Sequence, residues 1–165
     1  MLRPALRAAL AVALLAPAPR ARADAGPVPS ALLARRELTA GGYDHFQGQL
    51  TPDGASVVFA GNADSTIEIF TQRLDRGLPR RLVDESADVH QPRVSPDGER
   101  VLYVSYREDA AGDACVVNRD GGGRRCVTGS DTATLHVFWF PDSRHVGVLT
   151  RQGIDGVHQL RRYAI

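Results

Sequence analysis

The chain has 165 residues, enough for one domain, and 43% of them are apolar, which excludes wholesale disorder. Its 20 basic residues are all Arg and face 19 acids, for a net charge of +1. The two signs are interspersed along the chain, which excludes the basic stripe that nucleic-acid binding needs.

Arg3 and Arg7 form a positive start, Ala8–Ala16 (AALAVALLA) an apolar run, and PAPRARADA offers small-x-small sites ending at Ala23 or Ala25. This order predicts a secretory signal peptide over residues 1–25, cleaved after Ala23 or Ala25. The apolar run is far shorter than the ~20 residues of a membrane span. No Cys follows it, so no lipid anchor is expected there. Removal of residues 1–25 takes away four Arg and one Asp and changes the net charge from +1 to −2. Residues 26–33 read as a linker.

Beyond the linker the chain repeats. LTPDGASVVFAG starts at Leu50, VSPDGERVLYVS at Val94 and WFPDSRHVGVLT at Trp139. The turn prolines Pro52, Pro96 and Pro141 are 44 and 45 residues apart. Pro presets the turn's φ, Asp tolerates the next position, and Gly takes the left-handed one that follows. Pro52-Asp53-Gly54 and Pro96-Asp97-Gly98 obey this pattern; Pro141-Asp142 is followed by Ser143, so the third turn should be the least well formed. Thr51 and Ser95 can bond the turn backbone.

Each unit parses into four short strands, in the second unit Gln91–Ser95, Arg100–Tyr106, Ala114–Asn118 and Arg124–Thr128. In RVLYVSY both alternating faces are largely apolar, which suits a sheet covered on both sides. Four strands every 44 or so residues predict all-β propeller blades. Blade one is expected over 43–84, blade two over 88–129, and an incomplete blade three over 132–165. Residues 34–39 (ARRELT) align with LPRRLV and GRRCVT and read as an extra fourth strand. About three blades make an incomplete ring. Two outcomes follow: a head-to-tail homodimer, with Ala34–Thr39 of each copy pairing with Gly156–Tyr163 of the other, or a fragment of a longer propeller.

The two Cys flank a hairpin, DACVVNRDGGGRRCVTG. A two-residue turn at Asp120-Gly121 places Cys115 opposite Cys126, in a hydrogen-bonded pair within disulfide reach. The alternative is two small buried hydrophobes. Metal-ligand Cys spacings are absent.

The strand–[ST]PDG–strand–NRDGGGRR pattern, best matched at Ser95-Pro96-Asp97-Gly98 and Asn118-Arg119-Asp120-Gly121, resembles the TolB-type, WD-like β-propeller repeat over about Arg35 to Gln159. That resemblance implies the blade fold. Such blades serve periplasmic TolB proteins, propellers of prolyl-oligopeptidase-like peptidases and some polysaccharide lyases. Two features depart from those relatives. No α/β domain is expected before Tyr43, and no G-x-S-x-G nucleophile elbow occurs.

Residues with chemical potential are few. His45, His90 and His136 stand near the starts of the innermost strands and are weak metal-ligand candidates; their offsets of seven, six and five residues from the turn prolines put them on different faces. Asp44, Asp88 and Asp131 read as turn-fixing carboxylates and Trp139 as a core residue. Gly121–Gly123 precedes a strand, so no phosphate loop and no cofactor is expected. The sequence therefore predicts a non-catalytic, periplasmic or extracellular module that binds a protein partner in the cell envelope. A propeller lyase or hydrolase accessory domain, and a remnant of a longer protein, are the alternatives.

Overall fold

The computed structural model describes residues 38–39, 44–62, 65–75, 77–129, 132–152 and 156–165. The expected signal peptide, linker, Asp131 and most of the 34–39 strand lie outside these residues. Leu38 and Thr39, at the end of that segment, are not in a strand. Among the described residues no helix is long and apolar enough to cross a membrane.

Eleven antiparallel strands form three sheets among the described residues. Blade one holds β1 (His45–Leu50), β2 (Ser56–Gly61), β3 (Glu68–Arg73) and β4 (Arg80–Val83), paired in that order. Blade two repeats the meander with β5 (Val89–Val94), β6 (Arg100–Ser105), β7 (Asp113–Asn118) and β8 (Arg125–Cys126). Blade three has β9 (Ala133–Trp139), β10 (His145–Arg151) and β11 (His158–Ala164), with β10 in the middle.

The blades pack face to face because their middle strands are apolar on both sides. From β6, Val101 and Tyr103 join Val58, Ile69 and Leu82 of blade one, while Leu102 and Val104 join Val137, Val146 and Val148 of blade three. Full burial of such a side chain contributes about 1.5–3 kcal/mol. A third cluster, Val57, Phe59 and Phe70, is buried on the other face of blade one.

All three inner turns form. Gly54 N donates to Thr51 O and Gly98 N to Ser95 O, both at 2.8 Å; Ser143 N reaches Phe140 O at 3.2 Å. The third turn is thus the longest, yet Ser143 adopts φ 54°, in the left-handed region of Gly54 and Gly98. That conformation costs a non-Gly residue about 1 kcal/mol. As expected of turn openers, Thr51 Oγ1 accepts from Ser56 N and Ser95 Oγ from Arg100 N, each at 3.0 Å.

The cysteine hairpin corrects one expectation. Its turn is not the two-residue type. Gly121 N donates to Asn118 O at 2.9 Å and Asn118 N to Gly122 O at 2.8 Å, which closes a three-residue loop with Gly121 at φ 97°. Gly123, at φ 67°, adds another irregularity on the return, and the pairing arrives at Cys115 opposite Cys126. The two are joined by a disulfide. The parity is reversed: Val127 N donates to Ala114 O at 2.8 Å, so the cysteines form a non-hydrogen-bonded pair. The same irregularity shortens β8 from the expected Arg124–Thr128 to Arg125–Cys126.

Candidate functional site

The innermost strands β1, β5 and β9 lie side by side, and each carries an irregularity in its pairing with the next strand out. In β1 and β5 the irregular residue is a glutamine at φ 54°, Gln47 and Gln91. A left-handed residue inside a strand turns its side chain sideways. Gln47 Oε1 accepts from Gln91 N at 2.6 Å, and Gln91 Nε2 donates to Leu135 O at 3.0 Å. Next along the strands, Gln49 Oε1 accepts from Val94 N at 2.9 Å and Trp139 Nε1 donates to Arg93 O at 2.8 Å. Beside the turns, Ser143 Oγ accepts from Asp97 N at 2.9 Å and Ser143 O from Arg100 Nη2 at 2.6 Å. Hydrogen bonds of this kind contribute about 0.5–1.5 kcal/mol each, enough to offset the strain at Ser143.

The ladder holds one surface rigid. At the turn end of the inner strands a cleft of about 370 Å³ is lined by Leu50, Pro52, Arg93, Pro96, Phe138 and Trp139, among others. Leu50 is 49% exposed. The Arg100 guanidinium sits 5.4 Å from the Trp139 ring centre, a cation–π distance. Among the described residues the Arg93 guanidinium bonds only the carbonyl of Pro92, at 3.1 Å, and pairs with no carboxylate. Apolar and aromatic groups beside such a guanidinium suit a peptide chain with an acidic or carbonyl-rich face. Trp139, read from the sequence as a core residue of blade three, is partly buried against the cluster between blades two and three and also lines this cleft.

The turn aspartates buttress the same end. Asp53 takes bonds from Thr51 Oγ1 at 2.5 Å and Ala55 N at 2.9 Å, which hold its carboxyl below the ordinary range. For Asp97 burial pushes the other way, but Ser95 Oγ and Glu99 N outweigh it and the net shift is again downward. Asp142 is lowered to about 2, first by the Arg144 amide and then by the His145 ring 2.6 Å away.

The three candidate histidines are not brought together as a metal set. His45 bonds Thr39 Oγ1 at 2.9 Å and stands edge-on to Phe59, His90 stands edge-on to Tyr106, and His136 is exposed on β9 opposite Leu149. Among the described residues no group of three or more His, Cys, Asp or Glu could hold a metal ion. Asp88 Oδ1 accepts from Ile67 N at 2.8 Å, a backbone-fixing role; Asp44 instead donates its own N–H to Asn62 Oδ1 at 3.0 Å.

Sequence reasoning missed Glu85, in the loop between blades one and two. Its side chain is only 2% exposed. Glu85 Oε1 accepts from Tyr103 Oη and from Arg124 Nε, both at 2.7 Å, and Oε2 accepts from Ser105 Oγ. Burial pulls the Glu85 carboxyl upward, but Arg124, Ser105 and Tyr103 together outweigh it and hold it below its ordinary value. Burial, then Glu85, pushes the Tyr103 phenol well above its own. The group ties the loop that leaves blade one to three side chains of blade two. Gln47 and Gln91 were missed too, although both stand five residues before their turn prolines.

No family model matches the sequence, and no curated protein does. Solved structures match the fold. A TolB-type protein of Agrobacterium tumefaciens superposes with a TM-score of 0.61 at 21% identity, over 70% of this chain and 44% of that one. TolB of Acinetobacter baumannii gives 0.60 at 20% identity, over 72% and 29%. A puromycin-hydrolysing peptidase of Mycobacterium tuberculosis gives 0.62 at 19% identity, over 74% and 21%. The chain spans less than half the length of each of these structures. A fold shared by TolB and a peptidase carries no activity with it. What the likeness shows is architecture: the chain is built of β-propeller blades such as those of TolB and of the peptidase, two of four strands and one of three among the described residues.

Proposed function

We propose that the chain is a non-catalytic recognition module of the periplasm or cell exterior that binds a protein partner in the envelope. The cleft at the turn end of the inner strands carries this reading. It combines an exposed Leu50, the edge of Trp139 and an Arg93 that meets no carboxylate among the described residues, on a backbone fixed by cross-blade bonds. Aromatic and arginine side chains on a rigid frame are the residues that dominate protein–protein binding energy. The sequence signal at residues 1–25 supports the compartment.

The test uses the immobilised chain in envelope extract of its own organism. Leu50→Asp, at an exposed position, and Arg93→Glu, at a half-buried one, should each lose the captured protein while their melting curves stay unchanged. Capture that survives both changes overturns the cleft as the binding surface. Turnover of peptide or polysaccharide substrates by the purified chain overturns the non-catalytic reading.

A further inference from the structure

The second strands of blades one and two open at equivalent places with different residues. Pairing with the third strand fixes the equivalence: Ser56 stands opposite Arg73, and Arg100 opposite Asn118. Alternation puts Ser56 on the face of Val58, toward blade two, and Arg100 on the face of Leu102, toward blade three. Arg100 spans its gap: Nη2 donates to Ser143 O at 2.6 Å, and the guanidinium lies 5.4 Å from the Trp139 ring centre. Ser56 is too short to reach blade two in this way. The residue is only 7% exposed, and its Oγ meets no hydrogen-bond partner among the described residues. A buried hydroxyl without a partner needs a physical reason. Ser56 lines a cleft of about 360 Å³ between blades one and two.

The polar side chains of this cleft are all able to donate. Ser56, Thr71, Arg73, Leu78 and Arg80 come from blade one and Arg119 from blade two, and no acidic side chain lines it among the described residues. Thr71 stands opposite Arg80 as Ser56 does opposite Arg73, so the four form two adjacent rows on one face of the sheet. The hairpin of blade two brings Arg119 across. It leans so closely on β4 that a Cβ at Gly121 would lie 2.8 Å from Leu82 O. Among the described residues the Arg80 guanidinium and the Thr71 hydroxyl meet no hydrogen-bond or ion-pair partner. Two exposed carboxylates engage the other arginines: Asp75 holds Arg73 by two bonds of 3.0 and 2.7 Å, and Asp53 lies 3.4 Å from Arg119. The Arg119–Asp53 pair is about half exposed on both sides, so it contributes little and yields to a better partner. Three arginines against two carboxylates leave one positive charge in excess.

We propose that the cleft between blades one and two binds a small soluble phosphate monoester. The phosphate oxygens accept from Arg80, from Arg119 and from the hydroxyls of Ser56 and Thr71, while Arg73, held by Asp75, adds its charge. A tetrahedral oxyanion can meet donors that approach from two blades, whereas a planar carboxylate suits a single fork. The phosphate fills only a small part of the cleft, and the organic part of the ester packs on Leu78, which is 83% exposed. This site shares no lining residue with the inner-strand cleft.

The test titrates the full chain with glucose 6-phosphate by isothermal titration calorimetry at low ionic strength. Binding should be saturable, and about tenfold or more tighter than that of glucose or glucuronate. Arg80→Gln should weaken it about tenfold or more, and Arg80→Lys, which keeps the charge and loses the fork, by less. Arg161→Gln, which removes the same charge from blade three, should leave it unchanged. Ser56→Arg should abolish binding although it adds a positive charge, because its side chain fills the cleft as Arg100 fills the next gap. Ser56→Ala, which adds no bulk, should weaken binding severalfold. No saturable binding, equal binding of glucose 6-phosphate and either control sugar, or indifference to Arg80→Gln overturns the proposal. Unchanged affinity in both Ser56 variants also overturns it. So does retention of the chain on phosphatidic acid vesicles without binding of glucose 6-phosphate, which would give the cleft to a lipid headgroup.

Discussion

Among the described residues, blade two is covered on both faces and blade three on one. Leu102, Val104 and Val116 of blade two press on Val146 and Val148, while Val101, Tyr103 and Cys115 press on blade one. In blade three, Val146 and Val148 are wholly buried, but Leu160 on the other face is open. The strands of the two blades follow one pattern, so the pattern does not set burial; the neighbour does. The difference also separates what each blade can do. A residue of blade two packs against two neighbours, and a residue on the Leu160 side of blade three packs against none among the described residues.

Truncation at equivalent depth is the strongest way to test that contrast. Leu102→Ala should cost about 2–5 kcal/mol, seen as a lower urea midpoint, because it empties a packed site between two blades. The disulfide comes next. It joins residues 11 apart in sequence, and its loss by reductant or by Cys115→Ser with Cys126→Ser should cost about 2–3 kcal/mol.

Glu85→Gln should cost about 1–3 kcal/mol, since it weakens the clasp around Arg124, Tyr103 and Ser105. The effect should depend on pH. The folded chain holds the Glu85 carboxyl below its ordinary value of 4.5. Its contribution is therefore complete above that value and is lost as pH falls through the folded-state one. The gap between the wild type and Glu85→Gln should be full at neutral pH and close in acid; a gap that widens in acid would refute the assignment. Leu160→Ala should change stability by less than about 0.5 kcal/mol. A loss as large as that of Leu102→Ala would mean that blade three is covered after all.

The blades were legible because their punctuation is chemical. Pro52, Pro96 and Pro141 mark turns whose φ only a few residues accept, and their spacing counts the blades. The covalent pairing of Cys115 and Cys126 was legible only through two irregularities that compensate in register, at Gly121 and Gly123. Their parity was not, because a two-residue and a three-residue turn share the same Asp-Gly signal. Gln47 and Gln91 gave no warning: a left-handed conformation is expected of Gly or Asn, and glutamine takes it here because its amide is bonded in the neighbouring blade. Glu85 sits in a polar loop, DESAD, that reads as solvated, and only the fold brings Tyr103 and Arg124 around it. The cleft was half visible. Trp139 stood out as the single Trp, but its neighbours Leu50 and Arg93 come from other blades.

The cross-blade ladder has a consequence for how such a protein lengthens. Each of its bonds runs from a side chain in one blade to a main-chain atom in a neighbouring blade. Main-chain atoms are the same for every residue but proline, which lacks the N–H. A duplicated blade therefore arrives with its own connectors and finds a universal socket on its neighbour, with no matched pair of mutations required. Gene segments encoding one blade can multiply or drift apart in sequence while the joints between them stay intact.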